Sequence, residues 1–234
     1  MDVKNDREDS REKVLRLNKK FHDEQADYYD QDHNLELIDE MVLTRYLDPE
    51  DRLLDLGSGT GNVSRLHHGE CFAIDISCQM MEKNPATHRI QGETASLPFE
   101  SGVFDSVTAR SVLHHLPNLE ETFAEVSRVL KDGGLFIIMH EPIGYPKWKH
   151  LIKTLRVVGG RKLFGYTNSE WLESLADQTN SKTPFHLKDI VNLHEQQGIS
   201  VNRIEPFFER QHYLRYELPH HGITKRRFFY VGEV

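Results

Sequence analysis

Four short apolar runs spaced along the first two thirds of the chain constrain its fold more than any other feature. They are RLLDL at 52–56, CFAIDI at 71–76, VFDSVT at 103–108 and LFIIM at 135–139, with helical stretches between several of them. Strands that are apolar on both faces and alternate with helices belong to a mainly parallel sheet covered on its two sides. In such a doubly wound α/β sheet, ligands bind beyond the carboxyl ends of the strands, where strand order reverses. The first run leads straight into GSGTGN at 57–62, so a glycine-rich loop falls at that crevice.

The chain has 234 residues, long enough for a sizeable core. Its longest apolar runs, LFIIM and FFYV, are far short of the roughly 20 residues a membrane span needs. The first residues, MDVKNDREDSREK, carry both signs of charge and read as neither a secretory nor a transit leader, which makes a cytoplasmic protein the expectation. Two cysteines, Cys71 and Cys78, give no disulfide framework and no zinc-type spacing. The net charge of -8 argues against whole-surface attraction to nucleic acid, although it leaves room for a local basic patch.

Along the chain, residues 8–21 predict an amphipathic helix with Val14, Leu17 and Phe21 on one face, and 35–47 a second that stops before Pro49. Residues 118–130 place Leu119, Phe123, Val126 and Leu130 on one side of a third. The KDGG that follows offers a glycine to end it. Beyond 142 the rhythm changes. Helical-looking pieces fill 142–185, HLKDIVNLHEQQG reads as a helix closed by Gly198, and ISVNRIEPFFER and KRRFFYVGEV read as two last strands forming an antiparallel edge. The partition expected is a helical cap over 1–48, a ligand-binding core over 49–141, an inserted helical lid over 142–185, and the rest of the core sheet over 186–234.

Glycine permits positive φ and removes the Cβ, which lets backbone approach a ligand. The loop is no dinucleotide fingerprint, because the third glycine position is occupied by Asn62 and Gly61 stands one place early. It is no phosphate loop either, since no Gly-Lys-Ser/Thr follows. An acidic Asp55 at the strand end would repel a diphosphate and suit an ammonium or sulfonium. Asp75 ends the next strand about 20 residues on, where a carboxylate can accept both hydroxyls of a ribose. The competing role for Asp75, a helix N-cap, falls more naturally to Ser77.

LLDLGSGTGN, FAIDIS, RIQGETASLPFESGVFDSVTARSVLHHL and EVSRVLKDGGLFIIMHEP follow one another in order and at the usual spacing. Over about residues 50–141 the chain resembles the class I methyltransferases dependent on S-adenosylmethionine, close to the subgroup that acts on small molecules. The resemblance implies a Rossmann-like sheet of about seven strands, the last antiparallel, with the N-terminal and inserted helices capping the site. It also implies roles. Asp55, Gly57, Ser58 and Gly59 would line the pocket for the methionine part of the cofactor, and Asp75 would hold the ribose. Ile76 and Met80 would sandwich the adenine, whose edge would face Glu93 and Thr94; the family usually has Asp-Ala there, so Glu93 is a departure. Arg110 sits where backbone meets the amino-acid portion, and Tyr29 is placed to close over the carboxylate.

Methyl transfer from a sulfonium is an in-line displacement with a good leaving group, so alignment and exclusion of water matter most. A base is needed only where the acceptor must lose a proton. The candidates are His114 and His115, for which packing is the better reading, and His140 and Glu141 at the end of the fifth strand; His140 is taken as the candidate catalytic residue. The pairs His67–His68 and His220–His221 lack the spaced partners of a metal site. From Pro142 to Ser169 there is no acidic residue but six cations, among them Lys149 and Lys153, interleaved with aromatic and aliphatic side chains. That segment suits a lipophilic or aromatic acceptor with an acidic group, and equally a solvated basic helix, a partner-docking face or peripheral contact with an anionic membrane. The partner expected is a small-molecule methyl acceptor. An RNA or protein methyltransferase, a cofactor-binding protein without turnover and a nicotinamide oxidoreductase are the rival readings; nothing in the sequence sets the oligomeric state.

Overall fold

The computed structural model describes residues 3–32, 37–142, 192–193, 195–197, 199–208 and 226–233. Its sheet has seven strands: β1 Leu53–Leu56, β2 Cys71–Asp75, β3 His88–Gln91, β4 Phe104–Arg110, β5 Leu130–Pro142, β6 Ser200–Phe208 and β7 Arg226–Glu233. The helices are α1 Val3–Gln25, α2 Tyr29–Asp32, α3 Leu37–Tyr46, α4 Cys78–Lys83 and α5 Leu119–Val129, with a 3-10 turn at Leu113–His115.

Strand order is β3-β2-β1-β4-β5-β7-β6. Strands β1 to β5 pair in parallel, and β7 runs antiparallel to both its neighbours. The chain starts in the middle at β1, winds outward to β3, then returns to β4 on the other side of β1. Strand order therefore reverses between β1 and β4, and the loops after those two strands flank the crevice that such a reversal opens.

Each central strand is buried on both faces, as a parallel sheet requires. Because successive side chains alternate, Leu54 and Leu56 pack with Phe123, Val126 and Phe136 against α5, while Leu53, Ile137 and Met139 pack with Val42 and Leu43 of α3. Phe123 is completely buried, so truncating it to Ala should cost ~3–5 kcal/mol. Helix α5 begins where Asn118 Oδ1 accepts from the Glu121 amide, an N-cap.

The last two strands form the antiparallel pair expected at one edge of the sheet, with β7 inserted between β5 and β6. Two features of the sheet differ from the reading of the sequence. The glycines of KDGG do not end α5: its C-cap is Leu130, and Gly133, with φ of +78°, lies where the pairing of β4 with β5 slips between Leu130 and Leu135. Strand β3 has no apolar run to announce it, being an outer strand with Arg89 and Gln91 exposed in alternation. Residues 143–191, which take in all of the lid expected over 142–185 except Pro142 and include Lys149 and Lys153, lie outside the described residues, as does the pair His220–His221.

Candidate functional site

The loop after β1 is held from below and from the side. Gly57 has φ of +56°, and a Cβ there would lie 2.1 Å from Cγ2 of Val112, so only glycine lets the loop after β4 approach this closely. Gly59, at φ of +52°, opens instead towards space: its nearest neighbour to a hypothetical Cβ is the Tyr29 ring, 3.7 Å away. Asn84 braces the turn from outside, donating to Ser58 Oγ at 3.1 Å and to the Gly59 carbonyl at 3.0 Å. The Gly59 amide donates to Asp75 Oδ2 at 2.9 Å, and the Ser77 amide to Asp75 Oδ1 at 2.8 Å. Ser77 caps α4 by accepting from the Met80 amide. Its hydroxyl also donates to Asp23 of α1 at 2.6 Å.

Helix α1 roofs the crevice. Asn18 donates to the His115 carbonyl at 2.8 Å, and Arg11 reaches Glu93 at 3.2 Å and Glu121 at 3.4 Å. Asp30 of α2 accepts from the Thr60 hydroxyl and pairs with Arg65 at 3.0 Å. The space between roof and strand ends, counted together with its solvent-open mouth, measures about 740 Å³.

Of the residues singled out from sequence, Tyr29, Gly57, Gly59, Asp75, Ile76, Met80, Glu93 and Thr94 line this space. Asp55, Ser58, Arg110 and His140 do not. Ser58 turns its hydroxyl to Met81 and Asn84. Asp55 is 2% exposed and accepts from Thr108 Oγ1 at 2.9 Å, while its Oδ2 has no hydrogen-bond partner among the described residues. Burial, reinforced by the charge of Asp75, raises its pKa to about 7 against the help of Thr108 and Arg110.

Arg110 and His140 belong to a buried charge cluster that the sequence does not announce. Arg110 Nε and Nη2 both donate to Asp39 Oδ2, at 3.1 and 2.9 Å, and His140 Nε2 lies 2.6 Å from Asp39 Oδ1. Burial would raise the Asp39 pKa, but His140 and Arg110 together hold it down at about 2. His140, the candidate catalytic residue, is 5% exposed, sits at φ of +61° where the register of β5 on β7 slips, and ties α3 to the sheet through Asp39.

Glu141, the next residue, is fully buried. Its carboxylate accepts from the amides of Val112, Leu113 and His114 at 2.7, 2.8 and 3.3 Å, and contacts His114 Nδ1 at 2.9 Å. It therefore supplies the acceptors for the start of the 3-10 turn and fixes the wall of the cavity after β4. His67 contacts the Asp51 carbonyl at 2.7 Å, and no group of three His, Cys, Asp or Glu among the described residues could hold a metal ion. No described helix is long and apolar enough to cross a membrane.

Residues 54–138 match the family model of the methyltransferase domain. Over these residues the chain is similar to methyltransferases, and its fold is shared with S-adenosylmethionine-dependent ones. Among curated relatives, the methyltransferase YcgJ of Bacillus subtilis is 33% identical over 42% of this chain and 44% of its own length. A demethylmenaquinone methyltransferase of Staphylococcus saprophyticus is 30% identical over 60% of this chain and 64% of its own. The chain thus spans between 39% and 64% of the length of these and similar curated relatives. Among solved structures, the phosphoethanolamine N-methyltransferase 2 of Haemonchus contortus, in complex with S-adenosylhomocysteine, superposes with a TM-score of 0.60 at 15% identity, covering 90% of this chain and 57% of that one. At that identity the likeness is one of fold.

Proposed function

We propose that the chain transfers a methyl group from S-adenosylmethionine to a small-molecule acceptor, with the cofactor in the cavity between α1 and the ends of β1, β2 and β4. The observation that carries this reading is the Asp75 carboxylate, fixed by the Gly59 and Ser77 amides at the cavity wall beside a glycine that leaves the space open. Two hydrogen bonds leave the carboxylate further lone pairs for a ribose. Among the described residues the wall carries one Lys or Arg side chain, Arg11, which is engaged by Glu93 and Glu121. A diphosphate would meet Asp75 and Glu93, whereas a nucleoside with a cationic arm suits both.

In this reading Asp75 accepts from the ribose hydroxyls, Ile76 and Met80 give the adenine an apolar bed, and Glu93 and Thr94 stand at its edge. Gly57 and Gly59 admit the amino-acid arm, over which Tyr29 closes. Bound there, the cofactor supplies an electrophilic methyl group on a leaving group that becomes neutral as it departs. The chain's contribution is to align that group and keep water out beneath α1. Asp55, Ser58 and Arg110 support the loop and strand ends from behind.

The acceptor is a proposal at the level of a small molecule only, since the relatives named above carry different ones. The net charge of -8 disfavours the nucleic-acid alternative, and a cytoplasmic location is proposed with it. Titration calorimetry with S-adenosylmethionine and S-adenosylhomocysteine tests the reading, followed by a screen of methyl acceptors. Binding of neither, or binding of a dinucleotide in their place, would overturn it.

A further inference from the structure

The described cavity carries two imidazoles that the cofactor reading does not use. His22 comes down from α1 and His115 up from the 3-10 turn; both line the space, and their rings meet edge to face with centroids 5.2 Å apart. His22 also lies 6.2 Å from the ring of Tyr29, the same ring that stands 3.7 Å from where a Gly59 Cβ would be. The pair is therefore tied to the glycine-loop end, where a cationic arm is expected. The His114 ring lies tilted at 42° to that of His115, with centroids 4.0 Å apart, but its Nδ1 is engaged by Glu141.

We propose that His22 and His115 form a proton-accepting pair at the methyl-transfer end of the cavity, whose protonation opposes the sulfonium form of the cofactor and tolerates its neutral thioether product. This rests on the S-adenosylmethionine reading and assigns the acceptor to the class that must shed a proton: an amine, a hydroxyl or a carbon acid. The acceptor's electron pair forms the new bond to the methyl carbon, and the pair of the broken C–S bond stays on sulfur. The acceptor's proton passes to an imidazole nitrogen. Positive charge leaves sulfur as it appears on histidine, so the same site repels the imidazolium before transfer and accepts it afterwards.

The charged neighbours do not supplant the pair. Asp23 is held by Lys19 and Ser77, and Arg11 by Glu93 and Glu121. Asp75 is fixed by two amides, Asp30 by Thr60 and Arg65, and Arg110 by Asp39. Tyr29 remains neutral over the relevant range, its pKa raised further by burial. Asp55 is the competitor, since with a pKa of about 7 it titrates in the same window. The test must separate the two.

Calorimetry on the full chain at pH 8.0 and 5.5, straddling the ordinary imidazole pKa of about 6.5, compares the affinities for S-adenosylmethionine and S-adenosylhomocysteine. In the native chain, acid should weaken S-adenosylmethionine relative to S-adenosylhomocysteine by roughly threefold or more, the effect of unit charges about 6 Å apart in a water-like medium. Each of His22→Gln and His115→Gln should shrink that change, and the double variant should remove it. Proton NMR of the native chain gives a readout that does not depend on the variants folding: the His22 and His115 ring protons should titrate at lower pH with S-adenosylmethionine bound than with S-adenosylhomocysteine. An affinity ratio indifferent to pH, or one whose change survives in the double variant and so belongs to Asp55, overturns the proposal while leaving the cofactor reading intact. Failure of both ligands to bind at pH 8.0 removes the cofactor reading and this one with it.

Discussion

The Gly59 amide nitrogen lies 2.9 Å from Asp75 Oδ2, so the loop after β1 is hydrogen-bonded to the residue that ends β2. One carboxylate thus organises the glycine loop and faces the cavity. Asp75→Ala should weaken S-adenosylmethionine binding at least tenfold, about 1.4 kcal/mol or more. Asp75→Asn, which keeps one acceptor oxygen, should lose less. Calorimetry with unchanged affinity for Asp75→Ala would refute the ribose role.

Gly57 and Gly59 both have positive φ, but they fail differently on substitution. Alanine at 57 must displace Val112 as well as adopt a left-handed backbone, whereas alanine at 59 meets only ordinary contact with Tyr29. The backbone strain alone is ~1–2 kcal/mol for either. Gly57→Ala should therefore lower the melting temperature markedly more than Gly59→Ala. Gly59→Val should keep the fold, at that cost, while blocking cofactor binding. Equal loss of stability for the two alanine variants, measured by thermal unfolding, would show that the Val112 contact relaxes freely.

Periodicity and the glycine loop made the core legible. The runs at 52–56, 71–76, 103–108 and 135–139 all became central strands because burial on both faces leaves an unbroken apolar stretch. Eight of the candidate site residues line one cavity, since motif and strand end lie next to each other in sequence. What stayed hidden depends on distant partners. Asp39 meets Arg110 across 71 residues, and Glu141 meets Val112 across 29, with nothing local to mark either. A strand-end histidine reads as facing a ligand, whereas His140, at the slip in pairing between β5 and β7, meets Asp39. Strand β3 was missed because an outer strand needs only one covered face.

The cluster of Asp39, Arg110 and His140 should leave a mark on acid stability. Asp39 has its pKa depressed from 3.8 to about 2 in the fold, so its stabilisation is complete above 3.8 and is lost as pH falls towards 2. The gap is worth roughly 2 kcal/mol. Native stability should fall by about that amount between pH 4 and pH 2 through this group, and Asp39→Asn should flatten that part of the profile. Asp39→Asn should also cost ~3–5 kcal/mol at neutral pH, because Arg110 and His140 stay buried without a carboxylate. Urea titrations at several pH values measure both, and a neutral-pH cost below 1 kcal/mol would mean that the cluster is ornamental to the fold.

Asp55 predicts the opposite sign. Its pKa is raised from 3.8 to about 7 in the fold by burial, with the Asp75 charge adding to it. The unfolded chain therefore gives up this proton at lower pH than the folded one, and stability declines as pH rises from about 4 to 7. Above 7 the folded chain carries the full cost of a buried carboxylate, on the order of 2–4 kcal/mol. Asp55→Asn keeps an oxygen for the Thr108 hydroxyl and removes the charge. It should raise the melting temperature at pH 8, at ~2–4 °C per kcal/mol for a chain of this size, with the gain fading as pH approaches 4. A variant that is no more stable than the native chain at pH 8 would mean that the carboxylate is solvated or compensated in place.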